Sequence, residues 1–278
     1  MTWPQALLFG AIQGLTEFLP VSSSGHLVIF TALFGEGEGG DLMFTVFLHL
    51  ATLLSVAVVF RKDLWALVRE FFAALGDLLR GKPSFRTPQR RLLLMLLIAT
   101  IPAVLAGGLV KLLDLDALLE NNFVVAAMLL VTAAFMFAMD RLKGSFTEKD
   151  APYRVPLLVG CLQAVAILPG LSRSGSTIFG GVLGGFQKEF AVRFAFLLSI
   201  PAILGAGLVE GVQAVQEGVR IEHPGSWLVG FAAAALCGIL AIRFIRLLVK
   251  NNKFYIFGIY CLLASAFAFL VGSGVVRV

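Results

Sequence analysis

Charge is what this 278-residue sequence has least of: Asp, Glu, Lys and Arg make up 14% of it, against about 25% in soluble domains. Apolar residues make up 59% and the mean hydropathy is +0.93. That balance excludes a water-soluble monomer, because too little polar surface is left to clothe a globule. Cysteine is also scarce. Cys161, Cys237 and Cys261 lie in apolar stretches with no CxxC spacing, which argues against a disulfide framework and a zinc site and makes them small packing residues. The first forty residues contain no Lys or Arg, and their apolar run is broken by Gln13, Thr16, Glu17 and Pro20. They lack the basic start of a cleavable signal, so the N-terminus is expected to belong to the mature fold. The net charge of +5 does not point to nucleic acid, since the basic residues sit in short runs between apolar segments, as in cytoplasmic loops.

What is present in quantity is long apolar sequence. Stretches at about 43–60, 92–113, 123–140, 189–209, 227–249 and 254–274 are each near the roughly 20 residues that cross a bilayer, and they predict six spanning helices. Segments 5–34 and 155–186 are apolar enough to enter the membrane but are interrupted by Pro, Gly, Ser and a charge. Between Arg61 and Arg91 lie eight basic residues, which places that loop in the cytoplasm. Tracing outward, the loop with Asp114, Asp116 and Glu120 is external. The loop with Arg141, Lys143, Lys149 and Arg154 is internal, the Glu210–Glu222 loop external and the Arg243–Lys253 loop internal. This trace requires 155–186 to dip in and return to the cytoplasmic side, while the first interrupted segment dips in from the opposite face. The stretch from Asp63 to Leu79 is amphipathic and is expected to lie on the cytoplasmic surface as a helix.

The two interrupted segments echo one another. Gly10-Ala-Ile-Gln13 matches Gly160-Cys-Leu-Gln163, each followed by Leu-Pro, serines and glycine, with equal spacing from Gln13 to Gly25 and from Gln163 to Gly175. Three spanning helices follow each copy, an odd number, so the second copy is inverted relative to the first. The expected fold is therefore all-α: a single polytopic membrane domain over 1–278 with six spanning helices and two re-entrant helical hairpins, in inverted repeats of about 1–142 and 155–278. Broken helices at membrane depth need protein or water to satisfy their backbone, so the two dips are expected to meet near the midplane.

The polar residues concentrate in those dips. The first carries Gln13, Thr16, Glu17, Ser22, Ser23, Ser24 and His26; the second carries Ser172, Arg173, Ser174, Ser176 and Thr177. Glu17 and Arg173 are the charges well inside them, and a charge at the bilayer centre costs a few kcal/mol or more unless paired or hydrated. Gln13 and Glu17, four apart, share a helix face, and Pro20 stops that helix ahead of the Ser-Ser-Ser-Gly turn. Such a turn brings hydroxyls and backbone N–H groups to an anion. Arg173 adds a planar fork of donors suited to phosphate oxygens.

These two stretches resemble the paired signature motifs of the undecaprenyl-diphosphate phosphatase family, also called the bacitracin-resistance family, and the resemblance covers essentially the whole chain. The first motif runs Glu or Gln, three residues, Glu, then Pro-Val-Ser-Ser-Ser/Thr-Gly-His. The second runs Pro-Gly-Ser-Arg-Ser-Gly with one inserted residue. Gln13, Glu17, Ser22, Ser23, His26, Ser172, Arg173 and Ser174 fall on matching positions. The resemblance implies hydrolysis of a C55 polyprenyl diphosphate to the monophosphate and inorganic phosphate, regenerating the lipid carrier of cell-wall synthesis. It also implies a divalent cation, magnesium or calcium, and residence in the bacterial inner membrane; entry of the first motif from the external side puts the pocket on that face. The expected partners are the lipid substrate and the membrane, with a homodimer also allowed. Position 13 is Gln here, and an amide is neither a base nor an anionic metal ligand, so Glu17 carries that role alone. On this basis the catalytic set is Glu17, Ser23, His26 and Arg173, with Glu17 also the metal ligand; Gln13, Ser22, Ser24, Ser172, Ser174 and Thr177 bind substrate. The attacking group stays open between Ser23, His26 and water.

Competing readings bear on the same residues. Serines with glycine also serve helix packing, and Arg173 could be a plain counter-ion to Glu17, which phosphate binding does not exclude in the empty state. His49 reads as a hydrogen-bonded packing histidine outside the site, and His223 as a solvated loop residue. Arg243, Arg246, Lys250 and Lys253 read as ordinary positive-inside residues, with anionic lipid headgroups as the alternative partner. The rival function is a transporter or flippase of a prenyl phosphate lipid, since inverted repeats with broken helices are also transporter architecture. A lipid-binding scaffold is the third reading.

Overall fold

The computed structural model describes residues 1–34, 42–81, 87–113, 121–216 and 224–276. The external loops expected around 114–120 and 217–223, with His223, and Lys82 and Arg86 of the basic loop lie outside the described residues. Eleven helices are described: α1 (Trp3–Phe18), α2 (Ser23–Phe34), α3 (Leu42–Val59), α4 (Arg61–Leu79), α5 (Pro88–Leu112), α6 (Asn122–Met139), α7 (Arg154–Val165), α8 (Arg173–Leu183), α9 (Lys188–Gln216), α10 (Pro224–Lys250) and α11 (Tyr255–Gly272). Among the described residues there is no strand beyond an isolated bridge between Phe146 and Phe186.

Of these, α5, α6, α9, α10 and α11 are each long and apolar enough to cross a membrane. The sixth predicted span is α3, which together with α4 forms a pair bent by 88°. The bend puts α4 across the end of the bundle, as its amphipathic sequence predicts. Trp65, Val68, Phe72, Leu75 and Leu79 recur at helical spacing and are exposed, while Leu67 is buried. Ion pairs fasten the polar face. The Arg90 guanidinium, itself 6% exposed, donates to Glu70 at 2.6 Å and Asp77 at 2.8 Å, and Arg193 donates to Asp63 at 2.6 Å.

The segments expected in the cytoplasm meet at this same end. Arg91 donates to the backbone carbonyls of Glu148 and Ala151, Arg193 to the Glu148 carboxylate, and Lys188 to Asn252. Asp140 accepts from the amides of Phe254 and Tyr255. Within the 141–154 loop, the backbone N–H and hydroxyl of Thr147 hold the Asp150 carboxyl below its ordinary value. At the opposite end Met1 and Phe9 pack with Phe44, Leu48 and Trp227. The α1–α2 hairpin therefore enters from that end. The α7–α8 hairpin starts at Arg154 and returns to Gly185, whose carbonyl accepts from Ser145 and Phe146 at the basic end. Two dead-end hairpins thus approach from opposite directions.

Packing partners exchange between the halves. The first hairpin lies on α10 and the second on α5, the counterpart helix of the other half. The third helices of the two halves, α6 and α11, pack antiparallel: Asn122 lies beside Gly272, Phe137 beside Gly258, and the Ser265 hydroxyl donates to Ala126 O at 2.7 Å. The glycines of the echoed motif explain why the hairpin helices come so close. A Cβ on Gly10 would overlap the Gly230 carbonyl oxygen, and one on Gly160 would overlap that of Ala99. Backbone-to-backbone approach through small residues is how apolar helices associate in lipid.

This packing predicts that Gly10→Ala and Gly160→Ala each lower the detergent-stable melting temperature, by an amount equivalent to about 1–3 kcal/mol of overpacking. Gly108→Ala, where an added Cβ meets nothing within 4 Å, leaves the melt unchanged.

Candidate active site

Each hairpin turns on a serine. Helix α1 ends at Phe18; Leu19 and Pro20 are extended or in the turn, and Ser22 adopts a left-handed backbone with φ 69° before α2 begins. A non-glycine residue in that region costs of order 1–2 kcal/mol, partly offset because Ser22 Oγ accepts from the Gly25 amide at 3.1 Å. The second hairpin repeats the device: Ser172 Oγ accepts from the Gly175 amide at 3.1 Å. Gly170 takes φ 91° there, and a Cβ on it would overlap the Val125 carbonyl oxygen. Thr132 of α6 braces this turn, accepting from Ser172 N and donating to Gly170 O, each at 3.1 Å.

The two turns touch. Gly175 N–H donates to Ser172 Oγ and Ser174 Oγ donates to Leu19 O at 3.1 Å in the opposite turn, so the Ser172 proton is directed to Ser174 Oγ, 3.2 Å away. Helices α2 and α8 therefore begin side by side, opening with Ser23 and Arg173. Among the described residues the amides of Ser23, Ser24, Arg173 and Ser174 have no protein acceptor. Two helix N-termini with free N–H groups suit an anion by geometry and by dipole.

Glu17 is the hub. Its side chain is 2% exposed, and its two oxygens are used differently. Oε1 receives the Arg173 guanidinium from the opposite hairpin. Oε2 accepts from Gln13 Nε2 at 3.0 Å and from the Ser23 hydroxyl at 2.9 Å. His49 of α3 stands 3.9 Å from Oε2 through Nε2. Its Nδ1 lies 2.9 Å from the Thr45 carbonyl, which can only accept, so Nδ1 carries a proton and Nε2 faces the carboxylate.

His26 is committed elsewhere. Its Nδ1 lies 2.6 Å from the Ser22 carbonyl and is protonated by the same reasoning, so in the neutral ring Nε2 accepts from the Tyr260 hydroxyl of α11, also at 2.6 Å. The rings lie nearly parallel, 5.7 Å apart. Of the other sequence candidates, Ser22, Ser172 and Ser174 are buried in the turns, while Ser24 is exposed and 3.3 Å from Ser22 Oγ. Thr177 is buried and donates back to the carbonyls of Arg173 and Ser174. His49, read from sequence as a packing residue, and Tyr260, not singled out at all, both join the site.

The family profile described as Bacitracin resistance protein BacA matches residues 6–267. Proteins named undecaprenyl-diphosphatase are similar over nearly their full length. That of Alkaliphilus metalliredigens is 40% identical over 263 residues, covering 94% of this chain and 95% of the relative. That of Methanosphaera stadtmanae is 38% identical over 264 residues, covering 92% and 93%. That of Bacteroides fragilis is 39% identical, covering 98% and 99%. The chain belongs to the bacitracin resistance protein family.

The donor set around Glu17 limits how a divalent cation could be held. Among the described residues no three His, Cys, Asp or Glu side chains converge. The site offers one carboxylate, Glu17, the Gln13 amide oxygen left over when Nε2 donates, the His49 nitrogen and hydroxyls. Magnesium is commonly held by one or two carboxylates together with substrate phosphates and water. The residues therefore fit a hard cation shared with a phosphorylated ligand rather than an all-protein cage.

The pairing itself is testable without substrate. Removing one partner of a buried pair strands the other's charge. Arg173→Gln, which strands a carboxylate 2% exposed, is expected to lower the melting temperature more than Glu17→Gln, which strands a guanidinium 28% exposed. The double variant recovers part of the loss. Simple additivity in that cycle would show that the pair is not coupled.

Proposed function

We infer that this multi-pass membrane protein is an undecaprenyl-diphosphatase: it hydrolyses undecaprenyl diphosphate to undecaprenyl phosphate and inorganic phosphate, recycling the lipid carrier for cell-wall synthesis. The observation that carries the reading is the single carboxylate of Glu17, which accepts the Ser23 proton on one oxygen and holds Arg173 on the other. The relatives' names favour hydrolysis over translocation.

In the mechanism we propose, the terminal phosphate docks at the paired starts of α2 and α8, drawing Arg173 and the free amides onto its oxygens. Losing that counter-ion makes Glu17 a better base. Ser23 Oγ attacks phosphorus as its proton passes to Glu17, and the bond from phosphorus to the bridging oxygen breaks, releasing undecaprenyl phosphate. Glu17 gives that proton up with the departing prenyl phosphate. Water then attacks the phosphoserine as its proton passes to Glu17, and when the bond from phosphorus to Oγ breaks Glu17 returns the proton to Ser23 Oγ and free phosphate leaves. His26, tied to Tyr260 and Ser22, fixes the turn that presents Ser23. When bound, a magnesium or calcium ion supplies charge neutralisation at the diphosphate oxygens, held by Glu17 and the Gln13 amide oxygen.

The protein is assigned to the bacterial cell membrane with its pocket open to the external side. The basic segments at one end and entry of the first hairpin from the other support that facing. The halves are assigned as repeats of about 1–142 and 155–278, which the exchanged packing partners support.

Ser23→Ala and Glu17→Gln are each expected to reduce phosphate release from long-chain prenyl diphosphate by about 10²–10⁴-fold in folded protein. A chelator abolishes release and added magnesium or calcium restores it. Rapid quenching with labelled substrate should trap an acid-stable phosphoserine at residue 23. An acid-labile label moves the attack to His26, and solvent oxygen entering phosphate with no labelled protein overturns the covalent route. Tyr260→Phe is expected to lower kcat about tenfold with KM little changed, as loss of one positioning hydrogen bond implies.

A further inference from the structure

A second polar site lies at the basic end of the bundle. A cavity of about 300 Å³ opens where α3 bends into α4, walled by Phe60, Phe190 and Val249 and carrying three cations, Arg193, Arg246 and Lys250. Arg193 is already engaged by Asp63 at 2.6 Å and Glu148 at 3.2 Å. Arg246 and Lys250 are not. Four residues apart, they share one face of α10, and among the described residues neither meets a carboxylate. The Arg246 guanidinium instead lies over the Phe60 ring at 5.6 Å. A guanidinium over an aromatic face is held by the ring without using its N–H groups on a carboxylate, which leaves them for phosphate oxygens. The lining acids are Glu148, held by Arg193, and Glu189 in the first turn of α9.

The cavity shares no residue with the site around Glu17 and Arg173. Gly238 of α10 abuts Phe18, next to Glu17, and Arg246 lies eight residues further along, about 12 Å of helix. Its depth also informs the ligand. Phe60 follows the apolar helix α3, and α4 with its exposed apolar stripe begins at Arg61, so the cavity lies at the end of a span, the depth expected for lipid headgroups. Its volume is at the lower end for small-ligand pockets, room for a headgroup and not for a long prenyl chain.

We propose that this cavity is a phosphate-binding site, formed by Arg246 and Lys250 over the Phe60 ring, for the phosphodiester headgroup of an anionic lipid in the leaflet at the basic end. Free inorganic phosphate is the other source of the same chemistry. The test uses the full chain in detergent, with retained lipid measured by native mass spectrometry after addition of phosphatidylglycerol or phosphatidylcholine. Arg246→Gln/Lys250→Gln is expected to lose phosphatidylglycerol retention about tenfold or more, as loss of charge-assisted hydrogen bonds implies, with phosphatidylcholine retention and phosphate release from substrate unchanged. Arg243→Gln/Lys253→Gln removes equal charge from the same end outside the cavity and retains phosphatidylglycerol like the parent. If phosphatidylglycerol is retained equally by both variants, but only the Arg246/Lys250 variant loses binding of inorganic phosphate, the site is one for the free ion. Equal behaviour of the two double variants toward both probes overturns the proposal.

Discussion

One ion pair organises this protein. A carboxylate and a guanidinium, each costly to bring to membrane depth alone, neutralise one another where the two hairpins meet. The cost of burying Glu17 is met from three directions: Arg173 from the facing hairpin, Gln13 one turn back on its own helix, and Ser23 across the turn. In the proposed reaction each of those donors also has a part. The arrangement that makes the buried charge tolerable therefore gathers the proposed nucleophile, its base and the proposed phosphate anchor in one place, so a ligand that recruits Arg173 would change the electrostatics of all three.

The rest of the architecture keeps those turns in place. Close backbone contact at Gly10 and Gly160 fixes each hairpin on a full-length span, and Thr132 braces the second turn from α6. Serines cap both inner helices in the same way, leaving four amides unspent at their adjoining ends. At the basic end, Arg90, Arg91 and Arg193 tie the surface helix and loops to the spans, so the hairpin that carries Arg173 starts from a rigid platform.

Much of this was legible in the residues. Apolar runs, loop charges and the echoed motif predicted the spans, their directions and the convergence of the dips, because lipid leaves few alternatives for backbone polar groups. Glu17, Ser23 and Arg173 were legible for the same reason: a polar residue in such a segment needs an explanation. His49 and Tyr260 were not. Each lies on an otherwise apolar helix where a lone polar residue usually serves packing, and what recruits it is a carboxylate or an imidazole that only tertiary contact brings near. The back-bonded hydroxyl of Thr177 was equally beyond reach, since sequence gives a residue's position on a helix but not its rotamer.

The matched turns have a consequence for symmetry. Ser23 and Arg173 occupy the same register, one residue past the capping serine, in the two copies. Two identical hairpins meeting head-on would place a pair of hydroxyls there, or a pair of mutually repelling cations, and neither gives a nucleophile opposite an anchor. Specialisation at that register needs the two hairpins to vary independently, which a single chain carrying both allows.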